Sequence, residues 1–351
     1  MNVDFIIVGQ GLAGTLLGFE LLKAGKKVLF IDSPDYKKAS EVAAGLINPV
    51  VFKRMTKSWR VDELYPQMLE TYAGLEQMLG ESFFFPLKIR KVFGKGDDLL
   101  WERKYFENDL EQYLSLGTDH SGHPQLEMPY GCGWIEKGGW VNLKRLLSLF
   151  KSWLQNRDLL LNETFQYDLL QIEQKSIRYK GIDAGKIIFC EGSQGNRNPF
   201  FREVRYKPVK GEILDLTIED YCENNILNKS FFLLPVSGNS FRLGATYCWD
   251  PVDCNPTEAG KEELSRKLAQ VLKTKFTVTG HQAGIRPTAH DRRPVIGLHP
   301  AIPVIGILNG LGAKGCLAGP YAAKELSNLL LNRSQTIPAE INVSRYFASG
   351  K

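Results

Sequence analysis

The chain has 351 residues, of which 43% are hydrophobic and 24% charged, and carries a formal net charge of +5 at neutral pH. That length admits one large or two ordinary domains with a sizeable core, and the composition excludes a disordered or fibrous chain. The charge is modest and has no dense basic run behind it, so it argues little about nucleic acid.

The first element is an apolar strand, Asp4 to Val8, that runs straight into the turn Gly9-Gln10-Gly11-Leu12-Ala13-Gly14. Leu16, Leu17, Phe19, Leu21 and Leu22 then recur at helical spacing, Gly25 ends the helix, and Lys27 to Ile31 reads as a second buried strand closing on Asp32. This βαβ pattern is the context in which a GxGxxG turn signals a dinucleotide site. Gly9 permits the tight turn, Gly11 lets backbone approach a pyrophosphate, and Gly14 allows helix to pack on strand. The pyrophosphate is expected on the helix N-terminus and the adenosine ribose on Asp32.

Further along, the small residues from Ala39 to Gly45 suit a backbone lying against a flat ring system. Lys53, Arg54, Lys57 and Arg60 form the one notable basic cluster, expected as a solvated face that could also draw anions towards a nearby cleft. Asp62 to Leu79 is an amphipathic helix, and Phe83 to Pro86 and Ile89 to Phe93 read as strands. Between Asp97 and Tyr130 the composition turns polar and aromatic, with short helical pieces; His120 and His123 there are expected as loop residues, having no third ligand close by. A helix from Leu143 to Asn156 precedes strand-like residues from Thr164 to Ile172, and a buried strand, Lys186 to Cys190, ends in Glu191-Gly192.

Alternation from Val209 to Leu216, Ser230 to Leu234 and Ser240 to Thr246 predicts an antiparallel sheet, and Glu262 to Lys275 a helix. A last strand, Val304 to Leu308, meets a glycine-rich turn around Gly312 and a helix from about Leu317 to Leu331. Three glycine-rich strand ends, near residues 9, 192 and 312, thus share one local design, and if they converge they surround one large cofactor. Six cysteines, at 132, 190, 222, 248, 254 and 316, lack CxxC spacing and are expected as reduced thiols. With a strand starting at once after Met1 and no apolar run long enough to span a bilayer, the expected location is the cytoplasm.

Six segments in order, VDFIIVGQGLAG…VLFID, GGWVNLKRLL, KGEILDL, FRLGATY, GIRPTAHDRRPVIG and NGLGAKGCLAGPYAAKEL, resemble the glycine oxidase/D-amino acid oxidase family of flavoproteins over nearly the whole chain. The GLGAKG and GIRP segments are also similar to the flavin domain of the bifunctional enzyme that trims carboxymethylaminomethyl-uridine in tRNA. The resemblance implies an α/β fold: a glutathione-reductase-type FAD-binding Rossmann domain, expected over residues 1–85, 132–205 and 280–351, with an inserted antiparallel-sheet substrate domain over 86–131 and 206–279. It implies dissociable, non-covalent FAD, since the family's covalent attachment site does not fall at Cys316. Gly9, Gly11, Leu12, Ala13 and Gly14 would hold the pyrophosphate, and Asp32 and Ser33 would meet the adenosine. Ser40, Ala44, Gly45 and Leu46 would line the flavin. Phe165 would give backbone contacts to adenine, and Cys190, Glu191 and Gly192 would close over the ADP half. Gly312, Ala313, Lys314 and Gly315 would face the flavin pyrimidine edge, where a helix N-terminus favours negative charge.

By the same resemblance, Arg286 would pair with a substrate carboxylate, which suits the planar fork of a guanidinium. Lys314 would either bring positive charge to the flavin or to oxygen or, as a helix-start lysine, point to solvent. Glycine oxidases carry a tyrosine where this chain has Phe232, which removes one hydrogen bond to the carboxylate; Tyr247 and Trp249 either shape the pocket instead or, as the preferred reading, belong to the core. The implied reaction is oxidation of the C–N bond of a small carboxylated amine, with hydride passing to flavin N5, hydrolysis of the imine, and O₂ or another acceptor taking the electrons. Alternatives are the tRNA uridine, a 2-hydroxy acid, a dehydrogenase that uses a non-oxygen acceptor, and a nucleotide-binding regulator without turnover. The side chain and stereochemistry of the substrate and the oligomeric state are left open.

Overall fold

A computed structural model describes residues 1–221 and 223–347. Cys222, expected as a reduced thiol, lies outside them; the five other cysteines are free thiols. The centre of the fold is β1 (Asn2–Val8), in which Ile6 and Ile7 are fully buried. A parallel strand covered on both faces reads as a continuous apolar run rather than an alternating one. β1 lies parallel between β2 (Val28–Ile31) and the strand Ile182–Phe189, with Val8 beside both Ile31 and Phe189. Leu160–Leu161 adds in parallel beside β2, and Ile305–Asn309 beside the far half of Ile182–Phe189. Antiparallel strands complete this eight-stranded sheet: Val295–Leu298 on Ile305–Asn309, and Ile177–Tyr179 with Leu170–Ile172 on the near half of Ile182–Phe189. Because the parallel strands run one way, Val8, Ile31, Phe189 and Asn309 all end at one edge, where open α/β sheets bind ligands.

The helix α1 (Leu12–Lys23) is buried from Leu12 to Leu21, packed between the sheet and the last helix, Gly315–Leu330. Two glycines permit that. A Cβ on Gly18 would stand 2.1 Å from the Phe30 ring, and one on Gly319 2.7 Å from Leu16. The helices Val61–Leu79 and Leu143–Gln155 agree with the sequence periods to within a residue, the second capped by Asn142, which accepts from the Arg145 N–H at 3.1 Å.

A second sheet of seven strands runs in the order Phe276–Arg286, Val209–Ile218, Ser240–Gly244, Phe232–Ser237, Ile226–Asn228, Ile89–Val92, Cys132–Ile135. It is antiparallel except where Ile226–Asn228 meets Ile89–Val92. Even-numbered residues of Val209–Ile218 face the helix Glu258–Ala269, where Leu214 and Leu216 pack with Leu264 and Leu268. Odd-numbered Gly211 and Ile213 face the first sheet's cleft.

Several local expectations change. The boundary drawn at 280 falls inside the continuous strand Phe276–Arg286, and Cys132–Ile135, assigned to the nucleotide-binding unit, pairs in register with Ile89–Val92. The helix expected from Glu262 starts at Glu258 and ends at Ala269, because Thr257 caps it by accepting from the Gly260 N–H at 3.1 Å. The strand expected from Thr164 begins only at Leu170, after a single 3₁₀ turn, Tyr167–Leu169.

Candidate active site

The carboxyl edge of the parallel sheet opens into a cleft of about 460 Å³ that continues to the second sheet. Gly9, Gly192 and Gly312 all line it, so the three glycine-rich strand ends converge. Asn309, buried at the end of its strand, ties two of them together: its Nδ2 donates to the Gly192 carbonyl at 2.9 Å and its Oδ1 accepts from the Gly310 N–H at 2.9 Å. Gly11, Leu12, Ala13, Asp32, Ser33, Ser40, Ala44, Gly45, Leu46, Phe165, Cys190, Glu191, Ala313, Lys314, Gly315 and Arg286 line the same cleft. Gly14 is the exception. A Cβ there would lie 1.9 Å from the Gly9 carbonyl oxygen, so this glycine serves the packing of α1 on the turn and does not line the cleft.

At one end, the first turn of α1 has no acidic residue and its N-cap is Gly11; the Leu12 N–H reaches Ser40 Oγ at 3.2 Å. Such a terminus favours an anion. Asp32 is buried, accepts from the Gln10 N–H at 2.8 Å and meets Lys38 Nζ at 2.6 Å. The Phe165 ring is stacked on Tyr179 with centroids 4.6 Å apart. Glu191 accepts from the Tyr167 hydroxyl and from Asn198 Nδ2 at 2.7 Å, while burial raises its pKa above the usual carboxylate range. Sequence reasoning missed Tyr36, Thr164, Tyr167, Arg197, Gly211 and Asn309; of these only Gly211, inside an alternating strand, carries a signal of close backbone approach.

At the other end, the turn Gly312–Lys314 leads into the helix Gly315–Leu330, again without an acidic first turn. Lys314 Nζ donates to the carbonyls of Asn48 at 2.9 Å and Val50 at 3.3 Å and to Ser58 Oγ. Three acceptors match its three N–H bonds, but no carboxylate pairs with it among the described residues. Loss of hydration alone lowers its pKa from 10.5 to about 8. An anion bound here favours the protonated form, so affinity for an anionic cofactor is expected to fall as pH rises through about 8, and Lys314→Met to flatten that slope. Fluorescence titration of the flavin at pH 7 and pH 9 measures it, and equal slopes in the two proteins would refute the assignment.

Arg286 ends its strand with the guanidinium over the Tyr247 ring at 4.4 Å. Its Nη1 donates to the carbonyls of Lys210 at 3.2 Å and Thr246 at 3.3 Å, and Nη2 to Thr246 at 3.3 Å. No carboxylate pairs with it among the described residues. A Cβ on Gly211 would lie 2.1 Å from Nη2, so glycine there makes room for the fork. Phe232, Ile213, Ala245 and Tyr247 complete this apolar end. Half of the basic cluster is neutralised: Lys57 pairs with Asp62 and Asp109, and Arg60 with Glu63 and Glu340.

The residues fit a long, two-ended anionic cofactor: two helix N-termini without acidic first turns at separate points of one cleft, a buried acid beside the first, and apolar walls beside the second. Fold and cleft together are those of a dinucleotide-binding protein. The family model described as FAD dependent oxidoreductase, the DAO family, matches residues 4–329, and the chain belongs to this family of FAD-dependent enzymes. It is 22% identical, over 98% of its length, to the tRNA 5-methylaminomethyl-2-thiouridine biosynthesis bifunctional protein of Idiomarina loihiensis, and spans only 59% of that protein. To the glycine oxidase of Pseudomonas aeruginosa it is 23% identical over 96% of this chain and 97% of the relative. Among solved structures, L-proline dehydrogenase from P. horikoshii superposes with a TM-score of 0.79 at 16% identity, over 99% of this chain and 98% of that one. Glycine oxidase from Geobacillus kaustophilus superposes with 0.78 at 19%, over 98% and 99%. At these identities the likeness is one of fold. No helix among the described residues is long and apolar enough to cross a membrane.

Proposed function

We propose that the cleft holds FAD non-covalently and that the enzyme oxidises the C–N bond of a small carboxylated amine, an amino acid or N-substituted glycine. The observation that carries this reading is Arg286: a half-buried guanidinium, facing the cleft, whose partners are two carbonyl oxygens and an aromatic face. A cation so placed lacks the counter-charge that a carboxylate would supply bidentately. Phe232 gives the wall a ring without a hydroxyl, so the carboxylate rests on Arg286. Bound FAD would supply the hydride acceptor and pass electrons to O₂ or another acceptor. The chain's part is to fix the carboxylate, exclude water with Ile213, Phe232 and Leu46, and present the Gly315 helix terminus and Lys314 to negative charge.

The glycine-turn end, with Asp32, Ser33, Phe165 and Glu191, is assigned to the ADP half, and Ser40, Ala44, Gly45, Leu46 and Gly312 to Gly315 to the flavin. Cys316 lines the cleft as well, but burial pushes its thiol up to about 12, which keeps it from the thiolate form that attacks. Acid precipitation is therefore expected to release all the yellow colour into the supernatant; colour retained in the pellet would overturn the non-covalent assignment. The reaction class is tested by anaerobic titration of the yellow protein with a panel of amino acids, N-substituted glycines and 2-hydroxy acids. Bleaching by a carboxylated amine is the expected result, and bleaching only by hydroxy acids would refute it.

A further inference from the structure

Two large aromatic side chains stand in water just outside Arg286. Tyr247 is 57% exposed and Trp249 58%. They are not loosely held. Cys248 between them forms a β-bridge with Lys210, the Lys210 N–H donating to the Cys248 carbonyl at 2.9 Å and the Cys248 N–H returning to Lys210 at 3.1 Å. On an extended chain, residues on either side of a bridged position point to the same face. The strap is fixed on both sides of the bridge: Thr246 Oγ1 accepts from the Glu212 N–H at 2.9 Å, and the buried Lys210 ammonium meets Asp253 at 2.7 Å. Tyr247 lines the cleft with Arg286 over its ring, and the Trp249 ring lies 6.4 Å from it, tilted by 32°. Guanidinium, phenol and indole thus form a ladder from the carboxylate position out to solvent.

Exposed apolar surface held in place beside a cleft marks a binding surface, and a ring face accepts any planar π-system. Resting on the carboxylated-amine reading above, we infer that the Tyr247–Trp249 strap is a specificity lip that stacks on a planar aryl group carried by the substrate beyond its carboxylate and amine. The enzyme's preferred substrate is then an aryl-bearing carboxylated amine rather than a minimal one.

The test compares kcat/KM for N-benzylglycine and sarcosine in the FAD-loaded wild-type enzyme, in W249A and in W249F. The ratio of the two is expected to favour N-benzylglycine in the wild type, to fall roughly tenfold in W249A and to recover in W249F. A wild-type ratio near one, or a ratio unmoved in W249A, would overturn the lip while leaving the amine reading intact. Oxidation of neither compound, with no bleaching by any carboxylated amine of the panel, would overturn the amine reading. The lip is then decided by titration with phenylacetate, which carries ring and carboxylate but no oxidisable amine: tryptophan fluorescence quenched in the wild type and not in W249F supports it, and identical quenching in both refutes it.

Discussion

Arg286→Ala is expected to fold and keep its flavin while losing about 10²- to 10³-fold in kcat/KM for a carboxylated amine. Truncating one partner of a buried, hydrogen-bonded charge pair costs roughly 2–5 kcal/mol, much of it from the charge left without a partner. In the free protein Arg286 has only the Lys210 and Thr246 carbonyls and the Tyr247 face, so its removal strands no buried carboxylate of the protein's own. The loss falls on the substrate. Arg286→Lys keeps a charge but not the fork, and is expected to recover only a small part of the rate. Gly211→Ala gives a third, independent perturbation, because its methyl group enters the space of the guanidinium 2.1 Å from Nη2 without altering charge. Anaerobic single-turnover reduction separates binding from chemistry, with the flavin spectrum as the check on cofactor content. Wild-type reduction rates in Arg286→Ala would remove Arg286 from the substrate site.

The second large effect belongs to the glycine turn, where two glycines three residues apart are expected to fail differently. In Gly14→Ala the new methyl would stand 1.9 Å from the carbonyl oxygen of Gly9, just after β1, and 3.2 Å from Ile7 of β1. Either α1 lifts from the sheet or β1 shifts; overpacking against backbone is expected to cost about 3 kcal/mol or more, and FAD is lost with the turn geometry. In Gly11→Ala the methyl finds only Ser40 Oγ, at 3.6 Å, and the backbone φ of −86° suits alanine. The apoprotein is therefore expected to unfold within about 0.5 kcal/mol of wild type, while FAD binding weakens because the methyl group occupies the approach to the pyrophosphate. Urea midpoints of the apoproteins and flavin titrations separate the two outcomes. Equal urea midpoints for Gly14→Ala and Gly11→Ala would contradict the packing role given to Gly14.

Much of this site is readable from sequence because its parts are local. A strand, a glycine turn and a helix start occur within a few residues of one another near 9, 192 and 312, and each announces a helix terminus or sharp turn at a strand end. What sequence does not carry is the set of pairings made across the fold. Asn309 is one polar residue at the end of an apolar strand until the Gly192 carbonyl is brought to it from 117 positions away. Arg60 reads as part of a basic patch until Glu340, 280 positions distant, is placed beside it. Cys132–Ile135 has the same strand-forming character in either sheet, and only its register with Ile89–Val92 decides which one it joins. The early start of the helix at Glu258 was in principle legible, since Thr257 is a good N-cap, but the apolar period begins only at Leu264.

The stitch made by Asn309 also bears on how the chain acquires its activity. Strand ends from the beginning, middle and close of the sequence meet around one cleft, and contacts of such long sequence separation carry the largest loop-closure entropy and form slowly. The cleft is thus expected to be among the later features of the chain to be completed, and a cofactor bound there as proposed would touch all three strand ends and fasten them together. Its binding free energy would then oppose opening of the first and last strands together, so saturation with FAD is expected to raise the stability of the native protein as well as to support catalysis.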